Sequence, residues 1–411
     1  MIDAVWRIES PRLIAALARM VRDVGLAEDL AQDALLAALQ RWPESGVPEN
    51  PAAWLMATAR NRAIDLFRRN ERLRSKQEQI AVEVGLRMAM DGADLDAALD
   101  DEIGDDVLTL VFTCCHPALS VDARVALTLR MVGGLTTPEI ARAFLIPEAT
   151  LAQRIVRAKK TLAENGVRFE TPAGDELRQR IPVVLEVVYL IFNEGYAATA
   201  GDRWVRPALC DDAMRLGRIL AELAPNEPEV HGLVALMEIQ ASRIRARVGP
   251  DGQAVRLMDQ DRSRWDWLLV GRGLAALERA ERLGGSAGPY ALQAGIAACH
   301  ARARTAQDTD WVRIAALYEA LSVVAGSPVV ELNRAVALAM AFGPEIGLSL
   351  VEQLAADGGL SGYHLLFSVR GDLLERLGRR EEAVADFQRA AEMTSNAPER
   401  ELLLARADAL S

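Results

Sequence analysis

From end to end this chain repeats apolar residues, mostly alanines and leucines, at three- and four-residue spacings. No stretch sustains the alternation of Val, Ile or Tyr with polar residues that a half-buried strand needs. That single regularity restricts the chain to an all-α fold. Aromatic residues are only 5% of the 411, while 51% are hydrophobic, so helix-on-helix cores built from small side chains are expected. At about 150 residues per domain the length suggests roughly two to four of them.

Turn-forming clusters at Pro43 to Pro51, around Gly92 and Gly104, at Gly166 to Gly174, at Gly249 to Gly252 and at Gly284 to Pro289 punctuate the helices. They divide the chain into a first helical block (1–77), an acidic linker (78–105), a second helical block (106–168) and a long helical remainder (175–411). No apolar run approaches the roughly 20 residues that span a bilayer, and the N-terminus lacks the order of a signal peptide. A cytoplasmic protein with no membrane partner is the expectation. Four scattered cysteines, Cys114, Cys115, Cys210 and Cys299, agree with a reducing compartment.

The net charge of −11 would by itself argue against a phosphate-rich partner, but the charge is segmented. Arg60 to Lys76 carries seven Lys/Arg against two acids, Arg142 to Lys160 five against one, and Asp91 to Asp106 eight acids with no basic residue.

Leu135 to Leu162 reads as a helix-turn-helix. Gly133-Gly134 end one helix, Thr136 and Glu139 make a capping box, Pro138 sits in the first turn, and Leu145-Ile146-Pro147 form a tight turn. From Glu148 a second helix places Leu151, Ile155, Ala158 and Leu162 on one side and Thr150, Gln153, Arg154, Arg157, Lys160 and Thr161 on the other. That hydrogen-bonding, cationic face suits a major groove; a merely solvated face is the plainer reading.

Within Pro51 to Lys76 an apolar arc of Leu55, Met56, Ala59, Ala63, Leu66 and Phe67 lies beside a line of Trp54, Asn61, Asp65, Arg68 and Arg72. A tryptophan among arginines suits unpaired DNA, where bases stack on the ring and guanidinium groups hold the backbone. Trp54 could equally pack on a neighbouring helix. Glu28 to Trp42 has a buried stripe of Leu30, Ala31, Ala34, Leu35, Ala38, Leu39 and Trp42, and a polar one of Glu28, Asp29, Gln32, Asp33 and Gln40. Leu36 stands on the polar side, as a protein-docking spot would require.

Taken in order, the acidic Ala-Glu-Asp-Leu-Ala-Gln-Asp helix, the Ala-Trp-Leu-Met-Ala-Thr-Ala-Arg-Asn-Arg-Ala-Ile-Asp segment and the helix-turn-helix resemble regions two and four of an extracytoplasmic-function (ECF) sigma factor of the sigma-70 family. The resemblance covers about residues 5–168, and the remainder is similar to the subgroup with a TPR-like C-terminal extension. It implies RNA polymerase core (β′ and β subunits) and the −35 and −10 promoter elements as partners. Glu28, Asp29, Gln32, Asp33 and Leu36 match the helix that grips the β′ coiled coil. Trp54, Arg60, Asn61, Arg62, Asp65, Arg68 and Arg69 match the segment that melts and holds the −10 element, with Arg72 continuing its cationic line. The Pro43–Pro51 loop matches the one that captures a flipped base. Thr150, Gln153, Arg154 and Arg157 match the −35 reader. An acidic linker, including Asp100, Asp101, Glu102, Asp105 and Asp106, would stand in for RNA phosphates. The sequence departs from the family pattern at Pro147-Glu148, where small polar residues usually precede the recognition helix.

Near the C-terminus, Ala335, Gly347, Val351 and Leu354 recur 36 residues later as Gly371, Ala383, Phe387 and Ala390, and the second copy resembles a TPR repeat. An ordinary helical bundle is the alternative, and Pro289–Arg304 with Trp311–Ala325 fits the repeat less well. Two polar runs stand out in this half, Phe192 to Tyr196 and Asp259 to Asp266. Their acids and arginines beside aromatics could bind a small ligand or a regulatory protein, or could form a buried ion-pair network. Cys114-Cys115-His116 suits helix packing better than zinc, because adjacent cysteines rarely aim at one ion. His231, His300 and His364 read as core residues. With no phosphate-cradling loop, nucleophile elbow or metal-protease helix, neither an enzyme nor a cofactor is expected. Two readings compete: a stand-alone helix-turn-helix regulator with a sensing helical domain, which leaves the Trp54–Arg72 line and the acidic linker unexplained, and an enzyme in the C-terminal half, which requires convergent catalytic groups around Asp259 to Asp266.

Overall fold

The computed structural model describes residues 2–73, 106–144, 146–172, 174–198, 200–201, 204–250 and 253–411. The acidic linker, Arg74 and Lys76 lie outside the described residues, as do the side chains of Arg69 and Arg72. The expected all-α architecture is present. Among the described residues the only strands are two residues each, Ala200–Gly201 paired in parallel with Ser395–Asn396. Two compact units follow one another, Met1–Val187 and Val188–Ser411.

In the first unit, α1 (Ile2–Val21), α2 (Val24–Ser45) and α3 (Pro51–Leu73) pack mutually. Arg22, at φ 56°, turns the chain between α1 and α2, and Asp23 caps α2 by accepting from Leu26 N at 3.0 Å. Asn50 caps α3 by accepting from Ala53 N at 3.0 Å, with Pro51 in the first helical position. Leu13, Ile14, Leu17, Leu30, Ala34, Leu55, Ala59 and Ala63 form the core, where a fully buried leucine contributes about 1.5–3 kcal/mol. Two expected stripe positions differ: Leu39 and Leu66 are exposed. Pro43, expected to end α2, lies inside its last turn, so the connection to α3 shortens to residues 46–50.

The second block comprises a helix over 106–114 (α4), α5 (Val121–Met131), α6 (Thr137–Ala143) and α7 (Glu148–Glu164). Asp106, the first described residue of α4, is helical and pairs with Arg19 at 3.4 Å. Cys114 and Cys115 are buried, the first against Met131 Sδ and the second against the Thr128 hydroxyl, and burial pushes the Cys115 thiol up to about 11. The next helix, α8 (Gly174–Tyr196), runs from the first unit into the second; in its first half Arg180 donates to the Phe112 carbonyl and lies over that ring.

The second unit continues with α9 (Pro207–Leu223), α10 (Pro228–Ala241), α11 (Trp267–Arg282), α12 (Pro289–Arg302), α13 (Trp311–Ala325), α14 (Pro328–Phe342), α15 (Pro344–Ala356), α16 (His364–Arg376), α17 (Arg380–Met393) and α18 (Ala397–Leu410). Most pack chiefly on their sequence neighbours, except that α12 packs more extensively on α10 than on α11. The pair α14–α15 is followed 36 residues on by α16–α17, matching the internal repeat. Small residues hold each pair together: a Cβ on Gly347 would lie 2.6 Å from the Ala335 carbonyl oxygen, and one on Gly371 would lie 2.8 Å from the Phe387 ring.

Candidate nucleic-acid interface

The helix-turn-helix closes as its residues dictate. Thr136 N donates to Glu139 Oε2 at 2.8 Å and Glu139 N to Thr136 Oγ1 at 3.3 Å, completing the capping box. Gly134, at φ 69°, adopts the left-handed conformation that releases the chain from α5. Along α7, Leu151, Ile155, Ala158 and Leu162 are buried. Thr150, Gln153, Arg157 and Lys160 are exposed, so donors and acceptors stand on one side of an anchored helix. Pro147 precedes α7 without a side-chain cap. Arg154 is partly restrained, pairing with Asp122 of α5 at 3.2 Å, and Lys160 pairs with Glu164 at 3.5 Å.

On α3, Asn61, Asp65 and Arg68 are exposed and Arg60 and Arg62 half-buried. Arg62 pairs with Asp33 of α2 at 2.9 Å, joining two residues that the sequence assigns to different partners. Trp54 is half-buried and meets Trp42 edge-on, ring centres 5.3 Å apart. This is the packing alternative, and part of the indole remains accessible.

On α2, Asp29 and Leu36 are exposed and Gln32 and Asp33 half-buried. Glu28 departs from expectation: placed on the polar stripe by its spacing, it is 3% exposed. Arg130 Nε of α5 donates to its Oε1 at 2.9 Å, and Lys159 Nζ of α7 donates to its Oε2 and, at 3.0 Å, to Asp29 Oδ1. Burial pulls the Lys159 ammonium down, but the Glu28 and Asp29 carboxylates outweigh it and hold Lys159 above its ordinary value. Arg130 and Lys159 are the residues that sequence reasoning missed. Their one signal was that both are cations next to the buried face of their own helices.

In the second unit, the Asp259 to Asp266 run is not a buried ion-pair network among the described residues. Asp261 and Asp266 cap turns from the surface, Asp266 accepting from Leu268 N and Leu269 N, and Asp259 pairs with exposed Arg256. His231 and His300 are buried as expected, whereas His364 is half-buried and 3.0 Å from Glu399 Oε2.

Residues 6–73 match the model of Sigma-70 region 2 and residues 109–162 that of Sigma-70, region 4; residues 180–281 match a family of unknown function (DUF6596). The chain is 44% identical to an uncharacterized protein, R00370, of Rhizobium meliloti (strain 1021), over 97% of this chain and 93% of that one. It is 28% identical to the probable RNA polymerase sigma factor RfaY of Xanthomonas campestris pv. campestris, over 37% of each chain. No solved structure matches it. No helix among the described residues is long and apolar enough to cross a membrane. With a region-two match over the three packed helices α1–α3 and a region-four match over the helix-turn-helix, followed by a C-terminal helical region, this chain belongs to the sigma-70 family of RNA polymerase sigma factors.

Proposed function

We propose that this sigma-70 family member is an ECF-type factor. It binds core polymerase, recognises and melts a promoter, and has no catalytic activity or cofactor of its own. Its place of action is the cytoplasm. The observation that carries the reading is the division of α7, whose apolar side is locked into the fold while Thr150, Gln153 and Arg157 face outward with Arg154 and Lys160 beside them. In this reading these residues bind the −35 element, with side-chain amide and guanidinium groups addressing base edges and the remaining cations addressing phosphates. Trp54, Arg60, Asn61, Arg62, Asp65, Arg68, Arg69 and Arg72 address the −10 element. Asp29, Gln32, Asp33 and Leu36 dock on β′, with Glu28 joining them once Arg130 and Lys159 release it. The contact of Glu28 with α5 and α7 thus belongs to a closed, polymerase-unbound form. The C-terminal helical region, a TPR-like stack, regulates this exchange.

Reconstitution tests the reading. The purified chain added to core polymerase on a promoter library, at several stated salt concentrations, should select a two-part sequence and start transcription there. Duplex binding that neither needs nor redirects core polymerase would instead favour a stand-alone regulator.

A further inference from the structure

Charged groups inside the second unit are generally paired. Glu238, 2% exposed, meets Arg218 at 3.0 Å and Arg272 at 2.9 Å, and Asp386 meets Arg370 at 2.6 Å. One group of arginines breaks this pattern. Arg243 and Arg247 flank the short turn after α10, and Arg262 lies in the turn before α11; none of the three forms an ion pair among the described residues. They stack instead in a ladder with aromatic rings. Arg247 lies over Tyr196 at 3.9 Å and Trp204 at 5.3 Å, Arg243 over Tyr196 and Trp265 at 5.8 Å each, and Arg262 over Trp265 at 4.7 Å. The ladder joins the two polar runs singled out in the sequence, one through Tyr196 and the other through Arg262 and Trp265.

Stacking occupies the faces of guanidinium groups and leaves their N–H edges to be satisfied. Arg262 uses one edge on the carbonyls of His300 and Ala303. Arg243 Nε, Arg247 Nε, Arg262 Nη2 and the indole nitrogens of Trp204 and Trp265 are buried with no hydrogen-bond partner. Every one of these five atoms is a donor. Arg243 is 7% exposed. Gln260 Oε1 and His300 Nδ1 are also buried without a partner, but no carboxylate pairs with the three arginines among the described residues; buried donors and positive charge without an anion are what an oxyanion complements. A surface depression of about 500 Å³ has Trp265 in its wall beside Arg245, Arg264 and Asp266; the three arginines of the ladder do not line it.

We infer that the C-terminal helical region holds a binding site for a small oxyanion, a carboxylate- or phosphate-bearing molecule, recognised by Arg243, Arg247 and Arg262 between Tyr196, Trp204 and Trp265. A small molecule is favoured over an acidic peptide because the central guanidinium is too deeply buried for a folded-out chain to pass. The electrostatics agree: burial pulls the Arg243 guanidinium below its ordinary value although the Tyr196 hydroxyl, its hydrogen-bond partner, opposes this, and burial with the Arg243 and Arg262 charges pushes the His300 imidazole down to about 3. The site makes this helical region a sensor of an anionic compound.

The test titrates the purified full chain with inorganic phosphate, pyrophosphate and succinate at constant ionic strength, followed by tryptophan fluorescence, thermal unfolding and calorimetry. Neither polymerase nor DNA is present, so the outcome is independent of initiation. Phosphate and succinate separate the two oxyanion chemistries. At least one probe should give a saturable signal that weakens about tenfold or more in Arg247→Gln, whose residue is only half-buried, and in Arg262→Gln. Arg282→Gln, an exposed arginine outside both the ladder and the depression, should bind like the parent. Circular dichroism checks folding, and the decision rests on the folded variants. The proposal is overturned by no saturable signal with any probe to about 10 mM, by equal binding in Arg247→Gln, or by binding of a polyglutamate peptide alone.

Discussion

Lys159, on the second helix of the helix-turn-helix, donates to the carboxylate of Glu28, 131 residues earlier, and Arg130 holds the other oxygen of the same carboxylate. One buried anion therefore joins the region-two and region-four parts, and it sits on the helix assigned to polymerase docking. Removing one partner from a buried charged set costs about 3–5 kcal/mol, because the remaining charges keep their desolvation cost. Glu28→Gln should destabilise the first unit by about 3 kcal/mol in urea unfolding. Lys159→Gln leaves Arg130 in place and should cost about 1 kcal/mol, while strengthening binding to core polymerase by easing release of Glu28. Unchanged core affinity in fluorescence anisotropy would remove the closed form from the account.

The α7 faces predict opposite phenotypes. Arg157→Ala touches an exposed side chain, so stability should stay within about 0.5 kcal/mol, while promoter binding falls and its salt slope drops by about one. Leu151→Ala opens the buried side and should cost about 2–5 kcal/mol, losing binding only as the helix loses its seat. Melting curves set beside promoter affinity at two salt concentrations separate the cases; a large stability loss in Arg157→Ala would contradict the assignment.

Small residues set the helix spacing of the repeated pairs, and this too can be measured. A Cβ on Gly347 would meet the Ala335 carbonyl oxygen at 2.6 Å, a backbone atom that cannot step aside. Gly347→Ala should therefore cost about 1–3 kcal/mol by overpacking. Gly271, on the exposed side of α11, has nothing within 4 Å of its would-be Cβ, so Gly271→Ala should stabilise by about 0.5–1 kcal/mol through helix propensity alone. Thermal unfolding of both variants checks the pair, and equal shifts would mean the close approach carries no weight.

Periodicity made much of this legible. Leu151, Ile155, Ala158 and Leu162 declare their burial through 100° spacing, and Thr136 with Glu139 declares a helix start, because both signals are local. Glu28 was not legible: its burial is caused by cations over a hundred residues away, and its own helix places it among polar neighbours. Leu39 misled as well, since a helical wheel gives the direction of a side chain but not whether a neighbouring helix covers it. The arginine ladder draws on residue 196, residues 204, 243 and 247, and residues 262 and 265. Each polar run alone suited ion pairing equally well; Glu194 of the first does pair with Arg206, whereas Asp261 and Asp266 of the second cap helices at the surface, and only the fold brings the guanidinium groups to the rings.

His300 gives the second unit a pH dependence whose sign follows from burial. In the folded chain, burial first and then the charges of Arg243 and Arg262 push the imidazole down to about 3. In the unfolded chain it titrates near its ordinary value of about 6.5. Between those values the unfolded state binds the extra proton, so stability falls as pH falls through the window, with a slope of up to about 1.4 kcal/mol per pH unit. Above about 6.5 both states are neutral at this position and the contribution is flat. Urea unfolding followed by tryptophan fluorescence at pH 6.5 and 5 should lose about 2 kcal/mol that His300→Gln retains. An identical loss in the variant would place the titration elsewhere in the unit.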